Sequence, residues 1–156
     1  MSRISRNRLW AEHALLEAKR SSCLKRQVGC VAVKDNRVIA SGYNGVLAGV
    51  NPRFGIDEEG NTLTVHAEAN LIAFAANIGI SLRGSTLFTT LEPCRKCAEL
   101  IIQSGFTHVY YIESYRVHDG LELLANSLIQ VIKLDLVNEP ERDYISKLIT
   151  IGNYNG

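Results

Sequence analysis

The chain has almost no net charge: 17 Lys and Arg against 16 Asp and Glu leave +1 over 156 residues. A nearly neutral surface offers no strong field to a polyanion, which argues against a nucleic-acid binder. No apolar run approaches the about 20 residues that a membrane span needs. The basic start, Met1 to Trp10, has no apolar stretch after it, so no secretory signal is expected and the expected location is the cytoplasm. Cysteine is scarce, at Cys23, Cys30, Cys94 and Cys97. In a chain that is not exported, a Cys-x-x-Cys pair reads as metal binding or redox chemistry rather than a disulfide framework. Internal repeats and low-complexity tracts are also missing. What remains is ordinary globular composition, 46% hydrophobic and 21% charged, in a length that suits one domain with its own core.

Hydrophobic periodicity and turn residues divide the chain. Asn7 to Arg20 reads as a helix, with Leu9, His13, Leu16 and Arg20 on one face and Ala11, Ala14, Leu15 and Ala18 as apolar neighbours. Gln27 to Lys34 and Arg37 to Ser41 read as strands joined at Asp35-Asn36 into a hairpin. Gly42-Tyr43-Asn44-Gly45 reads as a break, followed by an irregular loop from Val46 to Asn61. A helix is expected over Val65 to Ile78, capped by Thr62 or Thr64 and stopped at Gly79. Ser85 to Leu91 is a strand, and Pro93 opens a helix to about Ser104. His108 to Glu113 is a strand, Gly120 to Ser127 a helix and Leu128 to Leu136 a strand. Pro140 starts a short helix to about Ile149, and a tail follows from Gly152. Helices alternating with strands after a hairpin imply an α/β sandwich with helices on both sheet faces.

Two short motifs carry the chemistry: His66-Ala67-Glu68 and Pro93-Cys94-Arg95-Lys96-Cys97. Cys94 and Cys97 are three apart and share a helix face. A helix start favours anions, so it eases thiol ionisation. His66 and Glu68 differ by two positions, which mid-helix would point them roughly 200° apart. This favours His66 at the start of its helix and Glu68 just inside. Zinc takes imidazole nitrogen and thiolate sulfur, and with three protein ligands it keeps a place for water, whose pKa falls to about 7. His66, Cys94 and Cys97 are therefore the expected metal ligands. Glu68 is free to carry protons as the catalytic base. The alternatives at this point are a thioredoxin-type redox pair, which does not require His66 and Glu68, and a structural zinc. The latter wants a fourth ligand, drawn from Cys23, Cys30, His13, His108 or His118.

His-x-Glu followed by Pro-Cys-x-x-Cys is the signature of zinc deaminases. With Cys23-Leu24-Lys25-Arg26-Gln27-Val28-Gly29, Ser41-Gly42-Tyr43-Asn44-Gly45, Val65 to Asn70 and Thr90 to Ala98, the chain resembles the cytidine deaminase-like superfamily. Within it, the chain resembles the deoxycytidylate (dCMP) deaminases of bacterial and phage type. The resemblance runs from about residue 7 to about 135. It implies a three-layer α/β/α sandwich, with a five-stranded mixed sheet and an N-terminal hairpin, forming a single deaminase domain over residues 1–156. The core would span about 7–135, with a C-terminal helix and tail over 136–156. It implies hydrolysis of dCMP to dUMP and ammonia, feeding dTMP synthesis, with one catalytic zinc. It also implies a homohexamer activated by dCTP and inhibited by dTTP, with magnesium accompanying the triphosphate. Carried onto this chain, Asn44 would hydrogen-bond the deoxyribose or base, and Ala67 would join it in binding substrate; Arg26 is read as the phosphate contact because a guanidinium suits phosphate, and Tyr115 either packs on the pyrimidine or supports its loop. Gly42, Tyr43, Asn44 and Gly45 would bind the effector.

Four departures stand out. Val46-Leu47-Ala48-Gly49 lacks the proline frequent after Gly-Tyr-Asn-Gly, Cys30 replaces a small alanine, and Lys25 stands where arginine is frequent. Residues 50–62 hold no Cys-His cluster, so no second zinc is expected. Two rival functions share the pattern. A tRNA adenosine deaminase needs a basic surface that a net charge of +1 does not promise. A non-catalytic, zinc-stabilised nucleotide sensor has no use for Glu68.

Overall fold

The computed structural model describes residues 3–23, 25–51 and 63–137. Four helices and five strands follow in the order α1 (Arg6–Ala18), β1 (Gly29–Lys34), β2 (Arg37–Tyr43), α2 (Ala67–Ile78), β3 (Thr86–Leu91), α3 (Arg95–Gln103), β4 (His108–Glu113), α4 (Asp119–Ala125) and β5 (Gln130–Lys133). The strands form one sheet in the order β2-β1-β3-β4-β5. The β1 strand pairs antiparallel with β2 and β3, whereas β3-β4 and β4-β5 are parallel. This is the mixed sheet expected of the cytidine deaminase-like fold. The hairpin closes through Asp35 and Asn36, both at positive φ (50° and 58°), the two-residue turn whose twist suits paired strands.

Side-chain alternation along the strands splits the core in two. Cys30, Ala32, Leu87 and Val109 face α2, α3 and α4, where Leu71, Ile101 and Leu124 are fully buried. Val31, Val33 and Phe88 face α1, and Phe88 stacks on Tyr110 with ring centroids 4.7 Å apart. The buried face of α1 differs from the expected one. Ala11, Ala14 and Ala18 are buried, while Leu9, Leu15 and Leu16 stay exposed. Small residues let the helix lie close on β1, so close that a Cβ on Gly29 would stand 2.2 Å from the Ala14 carbonyl oxygen.

Several boundaries shift. Gln27 and Val28 precede β1, and Gly42 and Tyr43 belong to β2 rather than to a break. Asn126 and Ser127 fall outside α4, and β5 is shorter at both ends than expected. Neither Thr64 nor Pro93 has its expected role: α2 is capped by His66, and α3 by Cys94, with Pro93 one residue before it. Thr62, the loop beyond Asn51 and the expected helix and tail after Pro140 lie outside the described residues. Among the described residues no helix is long and apolar enough to cross a membrane.

Candidate metal centre and active site

The C-terminal ends of the central strands meet the N-terminal ends of two helices, the place where open α/β sheets put their chemistry. His66, in extended conformation (φ −67°, ψ 151°), is the N-cap of α2, and Cys94 (φ −71°, ψ 168°) is the N-cap of α3. Neither side chain caps its own helix. Both are turned to each other instead, and Cys97 joins them from the first turn of α3.

His66 Nδ1 lies 3.4 Å from Cys94 Sγ and 3.5 Å from Cys97 Sγ, and the three donor atoms all fall within 4.8 Å of one another. Zinc bonds of about 2.3 Å to sulfur and about 2.05 Å to nitrogen, at a tetrahedral angle, hold the two donors about 3.6 Å apart. The donor set thus has the spacing as well as the chemistry of a zinc site. Among the described residues no fourth donor joins the cluster. Cys30 is fully buried in the sheet core, and that burial pushes its thiol well up, so it stays a neutral packing group. His118 is engaged elsewhere, on Glu92.

The three donors also perturb one another electrostatically. The Cys94 thiol is held down to about 3 by its hydrogen bonds with Cys97 and His66. Cys97 is pushed up by the same contact with Cys94 and by burial. His66 is raised, chiefly by Cys94.

Glu68 sits one residue inside α2, almost fully buried. Burial raises its carboxyl above the usual range, against the smaller opposing pull of its own backbone N–H, Cys97 and His66. Thr89 Oγ1 lies 3.3 Å from Glu68 Oε1 and 3.1 Å from the Leu91 carbonyl oxygen, so the base is steered from β3. A buried carboxyl that holds its proton more tightly than usual, beside a three-donor metal corner, is suited to taking up and passing on a proton.

His66, Glu68 and Cys94 open into a cavity of about 320 Å³. Arg26, Asn44, Ala67 and Tyr115 line the same cavity, so all four expected substrate residues are brought together there. Arg26 makes an exposed ion pair with Glu113 (2.7 Å) at the mouth. Asn44 is buried and its amide is engaged: Oδ1 accepts from Ser21 Oγ (2.6 Å) and the Val28 N–H (2.7 Å), and Nδ2 donates to the Arg26 carbonyl oxygen (2.8 Å). It ties Ser21, Arg26 and Val28 to the end of β2. Asn70 Nδ2 donates to the Tyr43 carbonyl oxygen (2.9 Å), tying α2 to the same strand.

The expected effector segment is half strand: Gly42 and Tyr43 end β2, and Asn44 and Gly45 follow it. Of Gly42 to Gly45, only Asn44 reaches the cavity. Gly42 is buried under α2, where a Cβ would stand 2.5 Å from the Ala67 carbonyl oxygen and 2.8 Å from the Leu71 nitrogen. Gly45 bridges Val65. Glu92, Thr89 and Lys25 are additions that the sequence reading gave no role. Glu92 and Lys25 line the cavity. A lone Glu before Pro-Cys was the only signal for Glu92.

A model of the cytidine and deoxycytidylate deaminase zinc-binding region matches residues 4–113, about 70% of the chain. The chain belongs to the cytidine and deoxycytidylate deaminase family. Among the deaminase's relatives, ComE operon protein 2 of Bacillus subtilis is 34% identical over 166 residues, covering 96% of this chain and 85% of that protein. The deoxycytidylate deaminase of Saccharomyces cerevisiae is 36% identical over 138 residues, covering 81% of this chain but 44% of the yeast protein. In structure, the deaminase is similar to the dCMP deaminase of cyanophage S-TIM5 solved with dCMP and dUMP, with a TM-score of 0.74 and 33% identity. That match covers 81% of this chain and 94% of the phage chain.

Proposed function

We propose that the chain is a zinc-dependent dCMP deaminase, hydrolysing dCMP to dUMP and ammonia. One observation carries this reading: a three-donor metal corner and a buried, unligated carboxylate open into one cavity with cationic side chains at its mouth. The dCMP and dUMP bound by the cyanophage relative support the substrate.

When bound, zinc would be held by His66 Nδ1, Cys94 Sγ and Cys97 Sγ and would supply the Lewis acidity that makes water nucleophilic at neutral pH. Glu68 carries the protons. Its carboxylate takes one from the attacking water and passes it to ring N3. It then delivers the second to the exocyclic nitrogen, which leaves as ammonia while the water oxygen remains at C4. The Ala67 backbone N–H, at a helix start with no side-chain cap, offers a donor to the ring carbonyl. The guanidinium of Arg26 is suited to the substrate phosphate. Asn44 presents what is left of its amide to the sugar, and Tyr115 flanks the base.

Regulation by dCTP and dTTP, with magnesium on the triphosphate, is part of the proposal, as is a cytoplasmic homohexamer. The 42–45 segment, whose Asn44 lines the cavity, is the proposed effector contact. Exposed Phe74 and Ile78 on α2 and Leu100 on α3 support burial against further copies. Ammonia release from dCMP, CMP, deoxycytidine and an RNA hairpin, each with and without dCTP or dTTP, tests the reading. Preference for dCMP, raised by dCTP and lowered by dTTP, is expected. Turnover of the RNA alone would overturn the substrate, and indifference to both triphosphates would overturn the regulation.

A further inference from the structure

Two acidic side chains are buried among the described residues, and the proposed reaction uses only Glu68. The other is Glu92, whose side chain is wholly withdrawn from solvent two residues before Cys94. A carboxylate removed from water needs donors. Glu92 finds them in a single segment. Its Oε1 and Oε2 lie 2.8 and 3.0 Å from His118 Nδ1, and Oε2 accepts the Tyr115 backbone N–H at 3.1 Å. Its own N–H donates to the Glu113 carbonyl oxygen at 2.8 Å. Glu92 is therefore stitched to both ends of the connection between β4 and α4. The side chain of Ser114 offers that connection an exposed tie to Lys133 Nζ (2.8 Å). Residues 114–118 cannot lift away without stranding a buried charge. Tyr115, carried by the segment, lines the cavity together with Glu92.

We propose that Glu92 is a positioning residue for substrate binding: by clasping residues 114–118 it fixes Tyr115 as a wall of the cavity and sets affinity rather than the rate of the chemical step. The inference rests on the deaminase reading above. Hydrogen bonds to a charged group are each worth a factor of about ten or more. Glu92→Ala should thus raise KM for dCMP about tenfold, leave kcat within about threefold, keep the zinc and speed hydrogen exchange of the 114–118 amides. Glu92→Gln, whose carbonyl still accepts from Tyr115, should recover most of the affinity. In a Tyr115→Ala background, Glu92→Ala should cost little more, because both changes remove the same wall. Loss carried by kcat, loss of zinc in step with activity, or additive effects in the double variant would each overturn the proposal. If Glu92→Ala does not fold, His118→Ala removes one of the two ties: a severalfold KM rise with faster exchange supports the clasp, and no change overturns it. A wild-type protein that releases no ammonia from dCMP would sink the deaminase reading alone, since the exchange measurement still decides the clasp.

Discussion

The candidate metal corner and the proposed substrate rim of one cavity are built in opposite ways. The corner draws its three candidate donors and Glu68 from the N-caps and first turns of two helices, within 32 residues of sequence, and holds them by backbone geometry. The rim draws Arg26, Asn44 and Tyr115 from three separate connections and holds them by side chains that reach distant backbone or distant charge. On the proposed function, chemistry sits on helix starts, and recognition sits on segments that can vary without disturbing it. A family with one reaction and several substrates is served by such a division.

The sharpest break of that contrast is at Glu68. Glu68→Gln should keep zinc and dCMP affinity yet lower kcat by about 10²–10⁴-fold, measured as ammonia release; near-normal turnover would move the proton carrier elsewhere. Next comes Cys97→Ser, or chelation of the wild type. Zinc content and thermal midpoint should fall together, since a metal bound only by the folded state stabilises it. Full metal content in the variant would remove Cys97 from the ligands. On the rim, Asn44→Ala should cost about 2–3 kcal/mol in denaturant melts, because buried partners at Ser21, Val28 and Arg26 are left unpaired. A purely substrate-facing Asn44 would instead leave stability untouched. Arg26→Ala should have the smallest effect, raising KM for dCMP about five- to tenfold with deoxycytidine unaffected. An equal loss for both substrates would show that Arg26 does not meet the phosphate.

The same contrast explains what could be read from the chain unfolded. Element order, the hairpin turn at Asp35-Asn36 and the donor set were legible because each is local. The capping residues were not, although the His-x-Glu spacing already puts His66 at the start of its helix and Glu68 just inside. Thr64 and Pro93 have the usual credentials for a helix N-terminus, but the residues that cap α2 and α3 are the metal-ligand candidates His66 and Cys94, which no propensity rule favours. The α1 face was misjudged because leucines signal burial more strongly than the alanines that close packing needs. The Arg26–Glu113 pair joins residues 87 apart in sequence, and the Glu92 clasp spans 23 and 26 residues. Nothing periodic marks such contacts, so only the folded chain reveals them.

Gly42 touches no reacting group, yet it sets how deep the catalytic helix seats. With the Ala67 oxygen and Leu71 nitrogen so near, a single added methyl would have to jack up the opening turn of α2, and His66 and Glu68 would ride with it. The strand is thus a spacer ground to its thinnest gauge. Tolerance at the reactive corner is fixed by an atom that is not there.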